Sequence, residues 1–152
     1  MKDLFLIRHA HAGPYLLPDE GRNLSIRGIE EAQELREIFL KSNFPIGFWC
    51  ISNTNRTIET AKILMENVEK SGDSFDDYWY HATGPQYVEK ILSSPHSVMY
   101  LVAHNPSISF AASYFSGEMI QMETCSCVHL HWPIANSWDE IIKGSAIVNM
   151  IN

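Results

Sequence analysis

Runs of apolar residues alternate along the chain with stretches whose apolar positions recur every three or four residues, the pattern of strands interleaved with amphipathic helices. The first run, Leu4-Phe5-Leu6-Ile7, predicts a strand over about Asp3 to Ile7. A polar loop from His11 to Leu24 follows, carrying Gly13, Pro14, Pro18 and Gly21. Ser25 is placed to cap a helix reaching Lys41, with Ile29, Ala32, Leu35 and Phe39 on one side. Ile46 to Ser52 predicts a second strand, and Asn55 to Lys70 a helix with Ile58, Ala61, Met65 and Val68 at helical spacing. Residues 71–77 read as a loop and Tyr78-Trp79-Tyr80 as a short strand. Thr83-Gly84-Pro85-Gln86 has the form of a helix start, with a cap residue, an early proline and a glutamine three positions after the cap; this helix ends near Ser93. Ser97 to Ala103 is nearly all apolar, as a strand covered on both faces must be, and is expected at the centre of a sheet. Asn105-Pro106 opens a helix that Gly117 ends, and the remainder from Cys125 reads as two or three strands broken by Pro133 and Lys143-Gly144. The alternation predicts a layered α/β fold. With no internal repeat, low-complexity tract or linker, residues 1–152 read as one domain.

Composition narrows what such a domain can bind. Hydrophobic residues make up 45% of the 152 positions, enough for a core. Eleven Lys and Arg against 18 Asp and Glu leave a net charge of −7, which argues against nucleic acid or an anionic membrane as partner. An anionic substrate would need local positive charge against that background, so individual arginines gain weight. The three cysteines show no paired spacing and suit a reducing, cytoplasmic setting. Only four apolar residues precede Arg8, too few for the core of a signal peptide, and no apolar run approaches a membrane span.

The candidate chemistry sits where strands end and helices begin. Arg8-His9 follows the first strand, Arg56 lies in the first turn of a helix, and His104 ends the central apolar run just before another helix. In open α/β sheets ligands bind beyond the carboxyl ends of the strands, where helix N-termini offer free N–H groups to phosphate. Two arginines and two histidines delivered there predict a pocket for a phosphoryl group. Arginine offers a planar fork for two oxygens at once. A neutral histidine, with an ordinary pKa of about 6.5, is able to attack phosphorus in line and form a covalent intermediate. The arginines supply the positive charge, so no metal and no cofactor are expected. His9-Ala10-His11 reads as a loop rather than a chelate. Cys125, Cys127, His129 and His131 alternate and would share one strand face, but at about 3.4 Å per residue the first and last are roughly 20 Å apart. One metal cannot hold all four. Neighbours such as Cys127 and His129 make half a site, and the strip reads as packed strand residues.

Three segments, in order, resemble the histidine phosphatase (phosphoglycerate mutase-like) superfamily. Leu6-Ile7-Arg8-His9-Ala10 resembles its Arg-His-Gly/Ala signature. Ser52-Asn53-Thr54-Asn55-Arg56-Thr57-Ile58-Glu59-Thr60-Ala61 is similar to its Ser-x-x-x-Arg-[Ala/Thr]-x-x-Thr-Ala segment, and Val102-Ala103-His104-Asn105-Pro106 to its Val-x-His-Asn-Pro element. The short chain and Arg22-Asn23-Leu24-Ser25-x-x-Gly28 resemble the compact SixA-like phosphohistidine phosphatases. The resemblance implies a three-layer α/β/α sandwich around a mixed, mostly parallel sheet. It implies His9 as the phosphorylated nucleophile, with Arg8, Arg56 and His104 around the phosphoryl group and Asn105 beside them as a substrate-binding residue.

The departures from the family pattern concern the proton donor. Asn105 stands where the acid-phosphatase branch has an acidic residue, and Tyr80-His81-Ala82 lies near where the mutase branch carries a glutamate. Asn23 replaces a usual proline, as does Glu123 ahead of Thr124. Asp19, Glu20, Asp76, Asp77 and His81 are the remaining donor candidates. An ester leaves as an alkoxide and gains about 10²–10⁴-fold from an acid, whereas phosphohistidine leaves as neutral imidazole with much less help. The expected substrate is therefore a phosphorylated protein, phosphohistidine in particular. The alternatives are a small phosphorylated metabolite, or a catalytically weak domain that binds phosphorylated partners. A chain this short has little room for the cover a mutase needs, residues 71–77 and 116–124 being the candidate lids. Substrate identity is expected to lie in the 11–24 loop.

Overall fold

The unbroken apolar run at the start of the chain is explained by its place in the sheet. β1 (Lys2–Arg8) pairs in parallel with β4 (Val98–Ala103) on one side and antiparallel with β5 (Cys127–Trp132) on the other. In the computed structural model, which describes residues 1–15 and 17–152, a six-stranded sheet runs β3-β2-β4-β1-β5-β6, with β2 Phe48–Ser52, β3 Gly72–Asp76 and β6 Ile147–Met150. β3, β2, β4 and β1 are mutually parallel, and β5 and β6 run against them. The sheet is thus mixed and mostly parallel, with β4 in its interior as expected.

Period-two alternation sends residues to two cores. Phe5, Ile7, Trp49, Ile51, Tyr100 and Val102 pack under α1 (Ile26–Lys41) and α2 (Asn55–Met65). Leu4, Leu6, Cys50, Met99 and Leu101 pack under α4 (Gly84–Leu92) and α5 (Ser107–Ser116). Helices on both faces of one sheet make the three-layer α/β/α sandwich. Its helices begin and end where local chemistry dictates. The Ser25 hydroxyl accepts from the Gly28 N–H, Thr83 and Gln86 form a reciprocal capping box, and Gly117 closes α5 at φ +76°. Gly28 is required for a second reason: a Cβ there would overlap the His11 carbonyl oxygen.

Three expectations fail locally. α2 stops at Met65 rather than Lys70, and Asn67 takes a left-handed turn at φ 63°. Residues 71–77 contain β3, a polar edge strand that the backbone ladder to β2 holds without an apolar face. Tyr78-Trp79-Tyr80 is helical, within α3 (Tyr78–His81). Asp76 Oδ1 accepts the Tyr78 N–H, the Asp77 carbonyl accepts those of Tyr80 and His81, and only Trp79 is buried, so turn chemistry overrides the strand preference of aromatic residues. Beyond Cys125 two strands form, within the two or three expected. Cys127, His129 and His131 do point to one side, whereas Cys125 precedes β5 at φ 57°. Among the described residues no helix is long and apolar enough to cross a membrane.

Candidate active site

The parallel register decides where the two histidines emerge. Arg8 pairs with Ala103, so the next residues, His9 and His104, leave the sheet side by side, with the His9 N–H bonded to the Ala103 carbonyl at 3.1 Å. β2 ends at the same level, and its last residue, Ser52, places a hydroxyl 2.7 Å from His104 Nε2. The imidazole rings of His9 and His104 lie 5.4 Å apart between centroids, inclined at 56°.

His9 is held in one tautomer. Its Nδ1 is 2.7 Å from the Ala10 carbonyl oxygen, which only accepts, so Nδ1 carries the proton and Nε2 keeps its lone pair. Burial, opposed by that hydrogen bond and aided by the fields of Arg56, Arg8 and Arg22, pushes the His9 pKa down to about 4. His104 is pushed down to about 3 by burial, then by His9 and Arg56. Both rings are neutral at pH 7. The Ala10 N–H donates to Thr60 Oγ1 at 3.0 Å, and that hydroxyl donates to the Arg56 carbonyl, tying the loop after β1 to α2.

Arg56, buried in the first turn of α2, donates from Nη1 to the Asp19 carbonyl and from Nη2 to Asp19 Oδ2, both at 2.9 Å. Tyr80 donates to the same Oδ2 at 2.8 Å and Arg22 to Oδ1 at 3.2 Å. Desolvation opposes ionisation of Asp19, but hydrogen bonds from Tyr80, Arg56 and Arg22 win and hold it at about 2. Tyr80 also lies edge-on to His104, with ring centroids 5.4 Å apart, and its own ionisation is pushed up by desolvation and by Asp19 and Glu20. Arg8 donates from Nη1 to the Met122 carbonyl at 3.2 Å, and Asn105 Nδ2 donates to the same oxygen at 2.8 Å. The Asn105 Oδ1 accepts from Ser109, so the amide is engaged at both ends and braces the 122 segment against α5. Arg8 Nε, Arg22 Nε and His104 Nδ1 are three of the five buried side-chain polar atoms without a hydrogen-bond partner among the described residues.

Arg8, His9, Arg56 and His104 are therefore brought to one edge of the sheet. Three of the other donor candidates, Asp19, Asp76 and Asp77, are already engaged. Asp19 is an anion locked between three donors. Asp76 accepts from Tyr78 and Lys90, Asp77 accepts from Asn53, and Glu20 and His81 are exposed. His11 braces the loop instead, with Nδ1 2.7 Å from Ser25 Oγ. Four contributors were missed as site residues. Arg22 and Ser52 each open a quoted motif and so carried a signal, whereas nothing in the sequence marked Tyr80 as a ring against His104. Glu31, which accepts from the His11 N–H and from Thr124, was equally unmarked.

No protein-family profile matches the chain. It is 28% identical over 151 residues to an uncharacterized chloroplastic protein of Arabidopsis thaliana, spanning 90% of this chain and 69% of that one. Its structure is similar to that of a candidate phosphohistidine phosphatase SixA from Nakamurella multipartitia. The TM-score is 0.81 at 18% identity, over 98% of this chain and 94% of the other. It is also similar to a protein histidine phosphatase SixA complexed with tungstate, with a TM-score of 0.74 at 14% identity over 97% and 94% of the two chains. The alpha-ribazole phosphatase from Shigella flexneri superposes with a TM-score of 0.67 at 16% identity, over 99% and 96%. The fold that the three motifs implied is the fold of these phosphatases.

Proposed function

We propose that this chain is a phosphatase of the histidine phosphatase superfamily that works without a metal through a covalent phosphohistidine at His9, acting on phosphohistidine of a protein partner. The observation that carries the proposal is the His9 ring. Its proton is fixed on Nδ1 by the Ala10 carbonyl, its Nε2 is free, and it is neutral down to about pH 4. Around it stand donors of Arg8, Arg22 and His104 that lack partners among the described residues. Nε2 attacks phosphorus in line, the Nε2–P bond forms as the bond to the leaving group breaks, and the leaving group departs with the electron pair. Water then attacks phosphorus, the P–Nε2 bond breaks, and phosphate leaves with His9 restored. Arg8 and Arg56 bind the equatorial oxygens throughout, and His104 donates from Nδ1 with Ser52 donating to its Nε2. Asn105 supports substrate binding by holding the Met122 carbonyl beside Arg8.

The choice of a P–N bond rests on the state of the two donor groups nearest the pocket arginine and His104, Asp19 and Tyr80. Asp19 is ionised and Tyr80 is a weaker acid than an ordinary phenol, so neither supplies a proton to an alkoxide at neutral pH. A phosphomonoester of a small metabolite, the kind of substrate an alpha-ribazole phosphatase name denotes, is the alternative, and a binder of phosphorylated partners is the other. Three buried free thiols, their ionisation suppressed by burial, agree with a reducing compartment such as the cytoplasm. The experiment is to compare turnover of a phosphohistidine-bearing protein with that of a sugar phosphate, and to quench with 32P-labelled substrate. Label on His9 with preference for phosphohistidine supports the proposal. Preference for the sugar phosphate selects the metabolite enzyme, and retained binding without label selects the binder.

A further inference from the structure

At the far end of β1 from His9 a second cluster forms, unconnected to the phosphoryl chemistry. Asp3 pairs directly across the sheet with His131, and His129 lies two residues along the same strand, so all three project from one face. His129 Nε2 is 2.7 Å and His131 Nδ1 is 2.8 Å from one oxygen of Asp3, Oδ1. The ligand atoms of the three residues lie within 4.8 Å of one another. His129 is held flat against Phe5, with ring centroids 4.2 Å apart and planes within 4°, which fixes the direction in which its Nε2 points.

The independent sign is the other carboxylate oxygen. Asp3 is 2% exposed, and its Oδ2 is buried with no partner among the described residues. A buried anionic oxygen without a donor is costly to keep ionised, and the two imidazoles relieve only Oδ1. A divalent cation bound between the rings and the carboxylate would neutralise it. His131, with 26% of its side chain exposed, leaves the cluster open to solvent for a fourth ligand. We infer that Asp3, His129 and His131 form a site for a borderline divalent transition metal, Zn²⁺ foremost, that clips β1 to β5.

The donor set fits. Two imidazole nitrogens and one carboxylate with an open position are a recurrent Zn²⁺ arrangement, with bonds of about 2.0–2.2 Å. Tetrahedral bonds of that length set ligand atoms about 3.3 Å apart, so the side chains part by roughly half an ångström. Each neutral ring moves its proton from the nitrogen facing Asp3 to the other nitrogen, and no proton is lost overall. Arg8 lies five positions along β1 from Asp3, about 17 Å at strand rise, so the ion would lie outside the phosphoryl pocket.

The test is titration of the chelator-stripped chain with Co²⁺, followed by its visible d–d absorption, and with Zn²⁺ by calorimetry. One ion per chain with intense tetrahedral bands is expected. His131→Gln, on a partly exposed position, weakens binding by more than the roughly 10–100-fold that loss of an outer partner costs, and Asp3→Asn does likewise. His9→Ala keeps both stoichiometry and bands. Binding that survives His131→Gln, or is lost in His9→Ala, or shows only weak octahedral bands, would overturn the inference. Zn²⁺ is also expected to raise the Tm of the parent chain and leave that of His131→Gln unmoved, which separates loss of the site from loss of the fold.

Discussion

The pocket histidines are set by what touches single atoms. The Ala10 carbonyl chooses the His9 tautomer, and burial among arginines keeps the ring uncharged. kcat/KM, corrected for ionisation of the substrate, should stay flat on its acid side until pH falls to about 4, because it reports groups of the free enzyme. An acid limb near the ordinary histidine value of about 6.5 would show that the ring is not desolvated as described. Asp19 invites a second measurement. Its carboxylate occupies Arg56 and places a fixed anion where the proposed anionic substrate would dock. Asp19→Asn should tighten inhibition by tungstate or phosphate on the order of tenfold. Weaker inhibition would show that holding Arg56 in place outweighs the charge removed. The four predicted residues were legible because each ends a strand or starts a helix. Tyr80 was not, because its position depends on how α3 turns, and that turn is decided by Asp76 and Asp77 rather than by the aromatic residues themselves.

At the scale of elements, the helices whose ends carry explicit caps were read to within a residue: Ser25, Thr83 and Gly117 each mark a boundary that the structure keeps. The misreadings fall where backbone pairing or turn chemistry outvotes side-chain pattern. β3 is a strand because β2 offers an open edge, and its sequence Gly72-Asp73-Ser74-Phe75-Asp76 has no apolar periodicity to reveal it. Gly28 joins element to site. Gly28→Ala forces the His11 carbonyl away from α1, and with it the loop that carries Asp19 and Arg22. A loss of about 1–3 kcal/mol in urea denaturation is expected, the range for overpacking, together with a fall in activity larger than the loss of folded protein explains. Unchanged stability would mean that the loop yields freely.

For the whole molecule, the charge balance and the pocket pull in opposite directions. A chain of net charge −7 gathers Arg8, Arg22 and Arg56 at one edge of its sheet and buries two uncharged histidines there. That burial has a thermodynamic consequence. His9 and His104 have folded pKa values of about 4 and about 3, below the unfolded value of about 6.5. Between these values the unfolded chain binds more protons, so stability rises with pH. The contribution is complete above pH 6.5 and is lost as pH falls from there toward 4. Tm should drop on acidification through that window, and the drop should shrink in His104→Gln; an equal drop in both would assign it to other groups. The layered fold was legible in outline because two cores need two sets of alternating residues, and the alternation is written through β1, β2 and β4.

The level ladder between β1 and β4 works like a vernier scale for the chemistry. An extra residue spliced between Leu4 and Ile7 would swing His9 into the opposite layer of the sandwich, whereas the same residue added in the connection before Val98 would be absorbed by slack. An insertion in this chain is therefore expected to be tolerated in the connection before β4 and not within β1 or β4.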